Sequence, residues 1–222
     1  MDNRKSHYNK KGLYMGYDKN HKEREALDYY ATDPKEVKNI LDTLKIKDID
    51  KSIILEPCAG GGHMLYAILN YLKDNYNTYF TPLATDIQKR ELFDEHLEIS
   101  TGKEFDFLSD DYPYTENIDY IIMNPPYSVI QPFVMKSLGI ANKGVLILGR
   151  LQFLEGSKRY ESIFKENPPT DIYVYVDRID CYKNGDFNQS FGQQAYAWYY
   201  WDFTKKEQNK IETHFIRRVD KK

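Results

Sequence analysis

The chain has 222 residues, enough to bury one sizeable core and too few for a large second domain. Its net charge of −3 argues against a protein that coats nucleic acid indiscriminately, because such binding depends on many Lys and Arg neutralising phosphates. No stretch approaches the ~20 continuous apolar residues of a membrane helix, the polar start lacks the apolar run of a signal peptide, and Cys58 and Cys181 stand far apart without other ligands at metal-binding spacing, so a cytoplasmic protein with plain thiols and no metal is expected.

Residues 1–28 form a polar arm with basic residues from Arg4 to Lys11. Asp33-Pro34-Lys35-Glu36 then announces a helix: a capping carboxylate, Pro at the first helical position and Glu at the third, the arrangement of a capping box. Val37, Ile40, Leu41 and Leu44 follow at helical spacing and predict burial of one face. A strand is predicted over 52–55, running into Glu56-Pro57-Cys58-Ala59-Gly60-Gly61-Gly62. Met64, Leu65, Ile68, Leu69 and Leu72 then describe an amphipathic helix. His63, between the glycines and this helix, could touch a ligand held at the turn, but reads first as a solvated first-turn residue.

Further strands are predicted over 83–85, weakly over 102–107, and over 118–123, 145–148, 172–176 and 195–201, with a helix through Phe133, Val134, Leu138 and Ile140. Trp198 and Trp201 fall on the last strand as packing residues. Strands alternating with helices predict an α/β fold, a mostly parallel sheet covered on both faces. The last two strands are joined by a polar segment containing Asn184-Gly185-Asp186 with no convincing helix, so they should form an antiparallel pair at one end of the sheet. The division is therefore an arm, 1–28, a domain, 29–203, and a charged tail, 204–222.

The chemistry gathers at the carboxyl ends of these strands, where open α/β sheets bind ligands. A glycine-rich strand-to-helix turn lets a ligand approach the backbone, and Glu56 before it suits a positively charged group better than phosphates. Asp86 ends the next strand and can accept from ribose hydroxyls, while Ile87 can cover an adenine face. Asp106 and Phe107 can offer an acceptor and an aromatic wall. The strand over 118–123 runs into Asn124-Pro125-Pro126-Tyr127. Its two prolines fix the backbone and hold the Asn side chain and neighbouring carbonyls in a preset geometry. An aromatic amine is a poor nucleophile because its lone pair is delocalised. Acceptors at Asn124 and the Pro125 carbonyl can localise that pair, and Tyr127 can stack on the ring that bears the amine.

On these residues the chain resembles the class I, Rossmann-like amino-methyltransferases, and in particular the DNA N6-adenine methyltransferases, over roughly Tyr29 to Trp201. Glu56 to Gly62 is similar to their S-adenosylmethionine motif, Asp86 and Asp106 to their acidic strand-end positions, and Asn124 to Tyr127 to their catalytic (D/N/S)-P-P-(Y/F/W) motif. Tyr29-Tyr30-Ala31-Thr32-Asp33-Pro34 is similar to a segment that adds cofactor contacts, with Tyr30 and Thr32 as candidates, although Asp33 interrupts the usual Thr-Pro. Arg150 with Phe153-Leu154-Glu155-Gly156 resembles phage-type relatives, and Phe191-Gly192 to Trp201 resembles a late aromatic segment in which Phe191 would form a second wall against the base, with Phe187 and Tyr196 as alternatives. The resemblance implies a seven-stranded sheet, S-adenosylmethionine as methyl donor with S-adenosylhomocysteine as product, and DNA as partner. Arg150, Lys158 and Arg159 are candidate nucleic-acid contacts. The same tetrapeptide occurs in resembling enzymes that methylate amino groups of RNA or glutamine amides of protein, so it identifies the electronic task before the substrate. Target recognition, which larger relatives assign to an added domain, would fall to inserts such as 167–170 and 181–194, to the basic termini, or to a protein partner.

Overall fold

The computed structural model describes residues 29–78, 82–188, 194–205 and 210–219. The elements in chain order are β1 (Tyr30–Thr32), α1 (Pro34–Leu44), β2 (Ile54–Glu56), α2 (His63–Tyr76), β3 (Leu83–Asp86), β4 (Ser100–Thr101), β5 (Tyr120–Met123), α3 (Ile130–Ile140), β6 (Gly144–Arg150), β7 (Asp171–Tyr175), β8 (Cys181–Lys183), β9 (Tyr196–Asp202) and β10 (Glu212–Ile216). An eight-stranded sheet runs β10-β7-β9-β6-β5-β2-β3-β4, and β1 pairs with β8 in a separate antiparallel ribbon. Only β9 runs against its neighbours, inserted between β6 and β7. The expected α/β sheet with an antiparallel C-terminal pair is therefore present.

Side-chain alternation along the strands divides the core into two layers. Tyr120 and Ile122, Leu146 and Leu148, and Trp198 and Tyr200 face one side, where Val37, Ile40 and Leu41 of α1 and Met64, Ile68 and Leu72 of α2 close over them. Ile121 and Met123, Val145 and Ile147, and Tyr199 and Trp201 face the other side, against Phe133, Val134 and Leu138 of α3. The two tryptophans pack in the sheet as predicted. Their indole N–H groups, buried with them, donate to the Tyr175 hydroxyl at 3.0 Å and the Asn167 carbonyl at 2.9 Å, which removes the cost of orphaned donors.

Several expectations are corrected. The sheet has eight strands instead of seven because residues 212–216, assigned to a charged tail, pair in parallel with β7. Asp171 anchors this edge. Its buried carboxylate accepts from Lys205 Nζ at 2.8 and 2.7 Å and from Thr170 Oγ1 at 2.8 Å, and pairs with His214 Nε2 at 3.0 Å. Burial opposes its charge, yet the bonds from Lys205, Thr170 and His214 prevail and hold its carboxyl below the usual range. Asp171, Glu212 and His214 offer ligand atoms within 4.8 Å of one another, but the Lys205 ammonium supplies the cation on Asp171. Asp33 caps α1 through Lys35 N, as read, but Glu36 does not complete a capping box. Glu36 instead accepts the Val219 N–H at 2.8 Å and ties the chain's far end to α1. No strand forms over 102–107: β4 is the two residues Ser100–Thr101 just before that span, because Gly102 turns at φ +133° and Lys103–Phe105 close a 3₁₀ turn. Among the described residues no helix is long and apolar enough to cross a membrane. Cys58 and Cys181 are free thiols.

Candidate active site

The order β3-β2-β5-β6 sets four parallel strand ends side by side. Asp86, Glu56, Asn124 and Arg150 stand at those ends or one residue beyond them. The turn after β2 is knitted to both neighbours. Gly60 N donates to Asp86 Oδ2 at 2.8 Å and Ala59 N to the Thr85 carbonyl at 3.0 Å, while the Cys58 thiol lies 3.7 Å from the Asn124 carbonyl. Pro57 continues this turn beyond the strand end. Gly60 and Gly62 adopt φ +57° and +82°, a region other residues rarely occupy. A β-carbon on Gly60 would also lie 2.5 Å from the Tyr29 ring, so glycine is required there twice over.

Asn124 is the best-defined side chain of the site. Its Nδ2 donates to the Tyr30 carbonyl at 2.9 Å and to Thr32 Oγ1 at 3.1 Å. A backbone carbonyl can only accept, which fixes the amide's orientation. The opposite atom, Oδ1, is buried and has no partner among the described residues. Thr32, read as a cofactor contact, is 2 % exposed, and its hydroxyl serves Asn124 instead. The ribbon of β1 and β8 thus aims Asn124. Thr32→Val, which deletes that acceptor at nearly constant volume, should lower turnover about tenfold and leave cofactor affinity unchanged, as steady-state kinetics and calorimetry would show.

Glu56 is also incompletely bonded. It is 2 % exposed, Oε2 has no partner among the described residues, and burial, reinforced by the charge of Asp86, pushes its carboxyl well above the usual range. A cationic ligand would relieve that penalty. Asp86 holds Gly60 N through Oδ2 and Gln88 N through Oδ1, leaving lone pairs for ligand hydroxyls, and Ile87 beside it is 45 % exposed. Asp106 Oδ1 accepts the Leu108 N–H at 3.0 Å in a local turn. Phe107 is not an open wall. It is buried between Tyr112 and Phe133 at centroid distances of 5.2 and 5.0 Å, as core.

Tyr127 opens a short 3₁₀ turn and is half-buried. Its ring stacks with Tyr30 at 6.2 Å and carries the Arg150 guanidinium 4.5 Å above it, so a planar ligand reaches that face only by displacing Arg150. Arg150 Nε is itself buried without a partner among the described residues. Lys158 is exposed. Arg159 is spent on the carbonyls of Gln152 and Glu155, holding the loop that contains Gly156. Phe191 lies outside the described residues. Of its alternatives, Tyr196 is buried beside Tyr127, and Phe187 stacks on Tyr182 at 4.1 Å and packs against His63 and Phe93.

Two residues take places that the sequence did not assign them. Tyr29 lays its ring over Gly60 and its hydroxyl over Gly61, with Arg90 4.8 Å above the ring. The sequence marks it only as the first residue of the segment whose candidates were Tyr30 and Thr32. His63, expected in solvent, is 5 % exposed beneath Phe93 and Phe187 at 4.4 and 5.2 Å, because the loops after β3 and β8 fold over the start of α2.

The chain matches no family model and no curated protein. Solved structures do resemble it. A Listeria monocytogenes protein assigned to the class I S-adenosylmethionine-dependent methyltransferases aligns with a TM-score of 0.59 at 13 % identity, over 93 % of this chain and 69 % of its own. A modification subunit assigned to a type I restriction enzyme of Vibrio vulnificus aligns at 0.59 and 10 % identity, over 85 % of this chain and 47 % of its own. The M protein of the type I restriction enzyme EcoKI aligns at 0.58 and 13 %, over 84 % and 48 %. The chain spans about half the length of these two subunits. At such identities the likeness establishes the fold, that of the class I methyltransferases.

Proposed function

We propose that this chain transfers a methyl group from S-adenosylmethionine to the N6 amine of adenine in DNA. The observation that carries the reading is Asn124: a half-buried amide whose donor end is clamped by Tyr30 and Thr32 and whose acceptor atom, Oδ1, is buried and left without a partner among the described residues. A buried acceptor without a partner costs about 1–3 kcal/mol, a cost that an incoming N–H removes. Asn124 Oδ1 takes one N–H of the amine and the Pro125 carbonyl the other, so the lone pair is localised and free to form the new bond. Fixed dipoles suffice for the attack, and no strong base is required: the methylated amine, cationic and far more acidic than before, gives up one N–H proton past these acceptors to water.

The donor set of the glycine turn fits S-adenosylmethionine, which when bound supplies an electrophilic methyl on a sulfonium. Glu56 offers an unsatisfied carboxyl to positive charge, Asp86 offers lone pairs to ribose hydroxyls with Ile87 beside it, and Asp106 retains Oδ2 for an adenine amine. The choice of adenine in DNA is supported by the resemblance of the Tyr29 to Pro34 and late aromatic segments, and by the restriction-modification subunits among the similar folds. A base inside a duplex must be extruded, and Tyr127 stacks on it once Arg150 yields. Tyr127→Ala should therefore cost about tenfold on duplex DNA and much less on a mismatched or unpaired target; equal losses would count against stacking.

The test is to offer the protein methyl-labelled cofactor with duplex DNA, single-stranded DNA, RNA and cell protein in turn, then identify the labelled residue. Label in adenine of DNA is expected. Label confined to RNA, or to glutamine of protein, replaces the DNA reading with that substrate.

A further inference from the structure

The start of α2 holds a second unsatisfied polar group. Gly62 provides no side-chain cap, and of the first N–H groups of this fourteen-residue helix Glu56 takes that of Leu65, so those of His63 and Met64 stand at the glycine turn with the positive end of the helix dipole behind them. His63, the first residue of that helix, is 5 % exposed, and its Nδ1 has no partner among the described residues. The imidazole is held against the turn: its Cε1, bonded to both ring nitrogens, would lie 3.2 Å from a β-carbon on Gly61, and Gly185 packs on the ring too, with Cε1 3.0 Å and Nε2 3.4 Å from a β-carbon there. Burial lowers its pKa to about 4, so the ring is neutral and can donate through Nδ1 at neutral pH.

Negative groups lie close by as well. Glu56 accepts from Leu65 N at the helix start, the charge of Asp33 acts on His63, and Asp86 accepts from Gly60 N. A phosphate here would meet the helix N-terminus but also this acidic surround. A zwitterion suits both halves, its carboxylate toward the helix start and its ammonium toward Asp33.

We infer that His63, through Nδ1, binds the carboxylate of the amino-acid end of the cofactor and so distinguishes amino-acid-bearing nucleosides from those without that end. The inference rests on the S-adenosylmethionine reading above and adds a specificity residue to it. His63 is assigned a binding role only, with no part in the methyl transfer itself.

Calorimetric titration with two probes tests it: S-adenosylhomocysteine, and 5′-methylthioadenosine, which keeps the nucleoside and thioether but lacks the amino-acid end. His63→Phe should weaken S-adenosylhomocysteine about tenfold and leave 5′-methylthioadenosine unchanged, an unchanged value that also shows the variant is folded. His63→Asn, whose amide nitrogen falls near the Nδ1 position, should restore most of the loss, and His63→Gln should not. If His63→Phe weakens both probes equally or neither, or if the wild type binds the two alike, the assignment to His63 falls and the cofactor reading stands. If the wild type binds neither probe, the cofactor reading falls with it.

Discussion

Asn124→Ala should slow methyl transfer by about 10²–10³-fold at the chemical step, the loss typical of removing one preorganised polar group at a reacting centre. The affinity for S-adenosylhomocysteine should scarcely change. The amide's two ends have separate partners. Nδ2 is held by the protein itself, through Tyr30 and Thr32, and Oδ1 is the atom left for substrate. Alanine deletes the acceptor and frees the Tyr30 carbonyl and the Thr32 hydroxyl, a local change that leaves Glu56 on β2 and Asp86 on β3 with their own hydrogen bonds. Single-turnover rates read the first effect and calorimetry the second. A variant that turned over normally would remove Asn124 from the chemistry. One that lost cofactor binding as heavily as rate would make it a binding residue instead.

The largest stability effect should come from Lys205→Met. The Asp171 side chain is only 3 % exposed, and Lys205 supplies its closest cation at 2.7 Å. Breaking such a pair from one side leaves an uncompensated buried charge, a loss of about 3–5 kcal/mol. Lys205 is itself 39 % exposed, and water screens part of that, so about 2–3 kcal/mol is expected. Urea unfolding should show a lower midpoint with an unchanged slope. The sign of the pH dependence follows from the depressed carboxyl. In the wild type the stabilisation is full above the unfolded carboxyl value near 4 and is lost as pH falls through the lower folded value. In the variant that acid-dependent loss should shrink. A change below about 0.5 kcal/mol would place the β10 edge outside the cooperative unit.

What was legible in the sequence was what is local. The glycine turn, the capping Asp33 and the Asn-Pro-Pro-Tyr tetrapeptide each act through their own backbone within a few residues, and each strand of the sheet centre carries its own apolar run. The ribbon of Tyr30–Thr32 with Cys181–Lys183 was not legible, because three-residue strands paired across most of the chain leave no periodic trace. Nor was β10, whose five residues include only two apolar ones and whose docking depends on Asp171, Lys205 and Val219 meeting from separate segments. Phe107 and His63 were misjudged for the same reason. Whether a side chain at a strand end or helix start faces a ligand or a core depends on the loops that fold over it, here those carrying Tyr112, Phe93 and Phe187.

These long-range features matter at the site because they aim its residues. Asn124 owes its orientation to β1, and β1 keeps its place by pairing with β8, where Cys181 sits 3.8 Å from the Tyr127 hydroxyl. Burial raises that hydroxyl well above its usual range, with Cys181 and Tyr196 adding to the effect, so Tyr127 stays neutral at every working pH. The Arg150 guanidinium over its ring then makes access to the tetrapeptide a matter of displacing one side chain.

The most direct test of the central claim is mass spectrometry of nucleosides from DNA of a host that has no adenine methylation of its own, expressing either the wild-type chain or Asn124→Ala. N6-methyladenine should accumulate with the wild type and be absent with the variant. Equal amounts with both, or none with a wild-type chain that binds S-adenosylhomocysteine, would contradict transfer to DNA adenine at Asn124.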